Sequence, residues 1–185
     1  MKIVLLRHGR PLMPPWPSTS ARRFGAWLAA YDRASIDITL PPPAAALAVA
    51  SQCRTVVCSQ LNRSITSARA LAVTPAVTDR SFREVGLPHA SWTFPRCPPK
   101  FWLGLFGSLR FMGYQGNAES LDEGRQRAVA ATQRLIEMAA AGPVLLVGHG
   151  LFNRFVAREL CSSGFAGPKW PASQHWGFSI YESAE

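Results

Sequence analysis

Hydrophobic and polar positions alternate between two periods along this chain. Residues 2–6, Lys2-Ile3-Val4-Leu5-Leu6, form a short apolar, β-branched run that predicts a strand. Pro11 to Pro17 holds four prolines and predicts a loop. Over residues 18–33, Phe24, Trp27, Leu28 and Tyr31 recur at helical spacing, with Ser18 or Ser20 placed to cap. Residues 34–42 read as a loop, and Pro43 can open a helix through Ala44 to Ala50. Thr55-Val56-Val57-Cys58 predicts a second strand, followed by a helix from about Asn62 to Leu71. Ala76-Val77-Thr78 predicts a third strand.

Residues 85–117 break the rhythm. They hold Pro88, Pro95, Pro98 and Pro99 among aromatic residues running from Trp92 to Tyr114. This stretch reads as an inserted apolar excursion. It is either a lid over a site or a satellite hydrophobic cluster. Ser120-Leu121-Asp122-Glu123 is a capping box and opens a long helix to about Ala141. Val144 to Val147 is the most strand-like run in the chain. It is followed by a helix from Leu151 to Cys161 and a last strand, Gly177 to Tyr181. Strands alternating with helices predict an α/β fold, a mainly parallel sheet with helices on both faces. The expectation is one domain over residues 1–185, with residues 85–117 as its insertion.

Composition narrows the picture only slightly. Hydrophobic residues make up 48%, which suits a globular protein. The net charge of +9 favours anionic partners, but the cations are dispersed and form no run. No DNA- or RNA-binding motif is present, so nucleic acid is not expected as the partner. No stretch approaches the ~18 apolar residues of a membrane span, and no signal-peptide pattern opens the chain. Cys53, Cys58, Cys97 and Cys161 show neither metal-binding spacing nor a C-x-x-C pair. They read as reduced thiols of a cytoplasmic protein.

The candidate chemistry lies at the strand exits. The first predicted strand ends in Arg7-His8-Gly9, and the Val144–Val147 strand ends in Gly148-His149-Gly150. The second exit carries Ser59 and then Arg63, and the third leads to Glu84. Parallel strands put all four exits on one edge of the sheet, where α/β proteins bind ligands. A pocket of Arg7, His8, Arg63, Glu84 and His149 suits a phosphoryl group. Guanidinium forks hold its oxygens. Nearby arginines keep a histidine neutral and nucleophilic, and a second histidine donates to the charge that grows on oxygen. A carboxyl group protonates the leaving oxygen and then takes a proton from water. Neither metal nor cofactor is needed. His89 and His175, both beside aromatics, read as packing or rim residues. Arg154 reads as a solvated face, and Glu119 as a charge favouring the N-terminus of the long helix.

These residues resemble the histidine phosphatase superfamily, the phosphoglycerate mutase-like fold. Its Arg-His-Gly signature stands as Arg7-His8-Gly9, and its Ser-x-Leu-x-Arg stretch as Ser59-Gln60-Leu61-Asn62-Arg63. The carboxylate after the third strand is matched by Glu84, the Glu-Ser pair by Glu119-Ser120, and the second histidine by His149. The resemblance implies a three-layer α/β/α sandwich. It implies His8 as the phosphorylated nucleophile, Arg7, Arg63 and His149 as phosphate-holding groups, and Glu84 as the acid. The mutase branch carries a Ser or Thr and then an Asn soon after its first histidine. Here Arg10 and Pro11 follow His8, and no Asn precedes Asn62. The expected activity is therefore metal-independent hydrolysis of a phosphorylated small molecule or phosphoprotein. Arg10 is a candidate for a remote anionic group of the substrate. A mutase, or a phospholigand-binding protein without turnover, are the alternatives. The substrate and the oligomeric state are not legible.

Overall fold

The structure is a computed structural model that describes residues 1–183. Five strands form one sheet: β1 (Lys2–Arg7), β2 (Thr55–Cys58), β3 (Val77–Thr78), β4 (Val144–Gly148) and β5 (Phe178–Glu182). Their order is β3-β2-β4-β1-β5. The first four are mutually parallel, and β5 lies antiparallel against β1 at the edge. Six α-helices accompany them: α1 (Ala21–Arg33), α2 (Ala44–Ser51), α3 (Asn62–Ala70), α4 (Pro99–Phe111), α5 (Leu121–Ala139) and α6 (Gly150–Ser162).

Period-two alternation sorts the core into two faces. Ile3, Leu5, Val57, Val144 and Leu146 point to one side, where Ala128, Ala131 and Leu135 of α5 and Phe152, Val156 and Leu160 of α6 cover them. Val4, Leu6, Val56, Cys58, Leu145 and Val147 point to the other, against Ala46, Val49 and Ala50 of α2 and Ala68 of α3. Strands buried on both faces read as continuous apolar runs, which is why β1 and β4 were conspicuous. The result is the expected three-layer α/β/α sandwich with a mainly parallel sheet.

Local signals hold the helices where expected. Ser20 caps α1 by accepting from Arg23 N at 3.3 Å. Ser120 and Glu123 form the reciprocal capping box of α5. The excursion 85–117 contains a helix that periodicity did not place, α4, opened by Pro99 at its first position. Trp102 and Phe106 of α4 bury against Phe24 and Trp27 of α1 in a third, separate apolar cluster. The segment thus contributes to a satellite cluster. Phe101, Phe111 and Met112 of the same segment stay exposed. Among the described residues no helix is long and apolar enough to cross a membrane.

Candidate active site

The parallel register aligns the exits of β1 and β4: Arg7 pairs with Gly148, and His8 N donates to Gly148 O at 3.1 Å. The two imidazoles that follow therefore meet. Their ring centroids are 5.0 Å apart in an edge-on arrangement, and both rings are buried. His8 donates Nδ1–H to Gly9 O at 2.7 Å. In a neutral ring this leaves the lone pair on Nε2, the atom a nucleophile needs. Burial, then the charge of Arg63, holds His8 well below the usual histidine range.

Ser59, at the exit of β2, orients the second imidazole. Its hydroxyl oxygen lies 2.7 Å from His149 Nε2 and accepts Leu61 N–H at 3.3 Å. The hydroxyl proton is then free to point at Nε2, and Nδ1 carries the ring proton. Burial and the neighbouring His8, Arg63 and Arg7 push His149 well below its ordinary range, so it donates as a neutral ring.

Helix α3 laces three exits together with two buried hydroxyls. Ser64 accepts from Ser59 N at 3.1 Å and donates to Val147 O at 2.5 Å. Ser67 accepts from Gly9 N at 2.8 Å and donates to Arg63 O at 2.6 Å. Arg63, 1% exposed, is fixed by Nη1 donation to Tyr31 O at 2.9 Å and to Asp32 Oδ1 at 3.2 Å. Its guanidinium also lies over the Tyr31 ring, 4.6 Å from the centroid. Arg7 donates from Nη1 to Ser173 O.

After these bonds are counted, Arg7 Nε, Arg63 Nε and His149 Nδ1 remain buried with no partner. The residues that carry these atoms neighbour His8: Arg63 and Arg7 act on its charge and the His149 ring is 5.0 Å away, and buried donors without a partner are costly. An oxyanion is the kind of acceptor that such a cluster of guanidinium and imidazole groups suits.

Glu84 meets this edge at the start of α6. Its carboxylate accepts Val85 N at 3.0 Å, Leu151 N at 3.2 Å and Phe152 N at 2.9 Å, so it caps α6 just past His149. Arg127 braces that loop, donating to Ser81 O and Arg83 O at 2.8 Å each and gripping Glu119 with two bonds. Glu119 thus holds Arg127 rather than only favouring the helix terminus by its charge. Arg10 is exposed, and among the described residues its guanidinium makes no hydrogen bond. Arg154 is exposed as expected and stacks on Trp170.

Two participants escaped the sequence reading. Asn153, buried in α6, accepts from His149 N at 3.3 Å and donates to Leu6 O at 3.3 Å, tying the two histidine exits. His175, expected to pack or line the rim, stands with its ring 5.3 Å from that of His8 and donates from Nδ1 to His8 O at 3.1 Å. Helical periodicity marks Asn153 only as a polar position, and a loop histidine carries no periodic signal. Among the described residues no group of three or more His, Cys, Asp or Glu could hold a metal ion.

The profile of the histidine phosphatase superfamily (branch 1) matches residues 44–182. This chain belongs to that superfamily. The match begins after the Arg7-His8-Gly9 exit, which the geometry above joins to the rest. No curated protein matches the chain. Solved structures share its fold at low identity. One is the open reading frame Rv3214 from Mycobacterium tuberculosis, with TM-score 0.64 and 16% identity, covering 100% of this chain and 95% of that one. Another is phosphoserine phosphatase from Entamoeba histolytica in complex with 3-phosphoglyceric acid, with TM-score 0.59 and 13% identity over 97% and 89% of the two chains. A third is mycobacterial glucosyl-3-phosphoglycerate phosphatase Rv2419c, with TM-score 0.52 and 17% identity over 87% and 79%. At these identities the likeness is one of fold.

Proposed function

We propose that this protein is a metal-independent phosphomonoesterase that works through a phosphohistidine on His8. The observation that carries the reading is the meeting of the buried His8 and His149 rings, 5.0 Å apart, beside Arg7 and Arg63, with Arg7 Nε, Arg63 Nε and His149 Nδ1 all lacking a partner. In the first step the Nε2 lone pair attacks phosphorus and the bond to the leaving oxygen breaks. Glu84 gives that oxygen its proton, as the resemblance to the superfamily implies. The three donors take up the charge on the non-bridging oxygens, which is greatest in the transition state. In the second step water attacks phosphorus, the phosphorus–nitrogen bond breaks, and inorganic phosphate departs.

Hydrolysis is preferred to mutase activity because Arg10 and Pro11 replace the residues that follow the first histidine in the mutase branch. The substrate is a phosphorylated small molecule or a phosphoprotein. Residues 85–117, next to the Glu84 loop, are proposed to select it. The test is phosphate release from p-nitrophenyl phosphate and from a panel of phosphate esters, with vanadate as inhibitor. Turnover that vanadate blocks and His8→Ala abolishes supports the proposal. Wild-type rates in His8→Ala overturn it. Interconversion of phosphoglycerates faster than their hydrolysis would make the protein a mutase, and tight binding without phosphate release would make it a binding protein.

A further inference from the structure

The outer face of α6 carries a second cluster of cations, apart from the phosphoryl pocket. Arg154 and Arg158 lie one turn apart on it. With Arg125 of α5 and Lys169 from the loop before β5, they line a cleft of about 550 Å³. Its apolar wall is aromatic: Phe111 at the end of α4, Phe155 of α6, and Trp170. None of Arg7, His8, Arg63 and His149 lines it, so the cleft is a separate site. One residue links the two: Leu151 lines the cleft and gives its N–H to Glu84.

Two features set this cleft apart from an ordinary solvated surface. The first is uncompensated charge. Arg125 donates to Asp122 at 2.6 Å. Among the described residues Arg154, Arg158 and Lys169 make no ion pair. No acidic residue among the described ones lines the cleft; Glu159 lies in a smaller adjoining cavity of about 330 Å³ that shares Arg125, Phe155 and Arg158. Like charges at i and i+4 on a helix repel, and an anion held between them relieves the repulsion. The second feature is open aromatic surface. Trp170 is 74% exposed and Phe111 64%. Guanidinium groups already lie over two of the rings, Arg154 at 5.4 Å from the Trp170 centroid and Arg125 at 5.6 Å from that of Phe155.

We propose that this cleft binds a nucleotide-like anion, an aromatic ring joined to a chain of phosphates. Size, charge and wall each favour that class. The volume falls within the ~300–1,000 Å³ of small-molecule pockets. Three unpaired cations in one cleft suit more than one negative charge, which a diphosphate carries and a single carboxylate does not. Flat rings stack on tryptophan, phenylalanine and guanidinium planes. A second copy of this chain would bring its own charge of +9 to a cationic cleft and be repelled. In the proposed arrangement the phosphates meet Arg154, Arg158 and Lys169, and the ring meets Phe111 and Trp170. Binding here is independent of the phosphohistidine chemistry proposed above.

Isothermal titration with ADP, adenosine and inorganic phosphate tests this, on the wild-type protein and on His8→Ala, in which no phosphate should be released. ADP should bind at least tenfold more tightly than adenosine or phosphate alone, and should quench tryptophan fluorescence. Arg158→Ala and Trp170→Ala alter exposed side chains outside the phosphoryl pocket. Each should weaken ADP at least tenfold, and Trp170→Ala should also remove the quench. Unchanged ADP affinity in either variant overturns the proposal, because ADP then sits elsewhere. Phosphate binding as tightly as ADP overturns it too, by reducing the cleft to a bare anion site. So does the absence of ADP binding at millimolar concentration, whether or not the protein then sediments with phosphatidylglycerol vesicles or associates with itself.

Discussion

The indole of Trp176 occupies the space that a side chain at position 9 would need: a Cβ built on Gly9 overlaps the ring, 2.7 Å from Cε2. Trp176 cannot simply withdraw. It is buried, its Nε1 donates to Leu40 O at 3.0 Å, and its φ of 64° is a left-handed conformation uncommon for a bulky residue. Gly9→Ala should therefore push the segment around Trp176 off β1. We expect it to cost about 1–3 kcal/mol of stability as an overpacking change, and to lower kcat/KM by at least tenfold because His8 moves with it. Chemical denaturation and steady-state kinetics on one preparation check both numbers.

Leaving-group chemistry isolates Glu84. Nitrophenolate departs without needing a proton, whereas an alkoxide does not. Glu84→Gln should therefore slow hydrolysis of an alkyl phosphate by about 100-fold, with a much smaller effect on p-nitrophenyl phosphate. Equal losses on the two substrates would reduce Glu84 to its capping role, since the amide is also a poorer partner for the N–H groups of Val85, Leu151 and Phe152.

Stability should fall on mild acidification. His8, His149 and His175 all have pKa values depressed in the folded state from the ordinary 6.5. Above that value both states are neutral and the full stability is present. As pH drops below about 6.5 the unfolded chain takes up protons that the folded site refuses, so unfolding becomes easier. The loss continues until the depressed folded values are reached. A series of thermal melts from pH 8 downwards should show this. Added inorganic phosphate should restore part of the loss, because an anion among the cations stabilises the folded state.

Asn153 offers a test of the scaffold beneath the chemistry. Replacing it with Ala leaves His149 N and Leu6 O buried without their partner. The cost should be about 1–3 kcal/mol, readable as a lower urea midpoint. A larger proportional fall in kcat than in folded fraction would show that the two histidine exits have drifted apart.

The strands were legible because β1 and β4 are buried on both faces, and the capping box announced the start of α5. The meeting of His8 and His149 followed from parallel topology alone. Three things were not legible, each for its own reason. Helix α4 has apolar residues around most of its circumference and glycines at 104 and 107, so no 3.6-residue stripe stands out. Arg63 was read as a fork free for the ligand, yet part of it is held by Tyr31 and Asp32, a partnership set by how α1 lies on α3. His175 reaches His8 only because β5 runs antiparallel beside β1, a pairing that no local pattern around His175 encodes.

That edge pairing carries a practical consequence. The ribbon formed by residues 173–182 closes the sheet and, at its near end, latches the Arg7-His8-Gly9 turn from outside. Shortening the chain into this ribbon would take the buried Tyr181 out of the core and leave Arg7 and His8 unclasped. Fusions and affinity handles are therefore better joined at a surface loop remote from this ribbon.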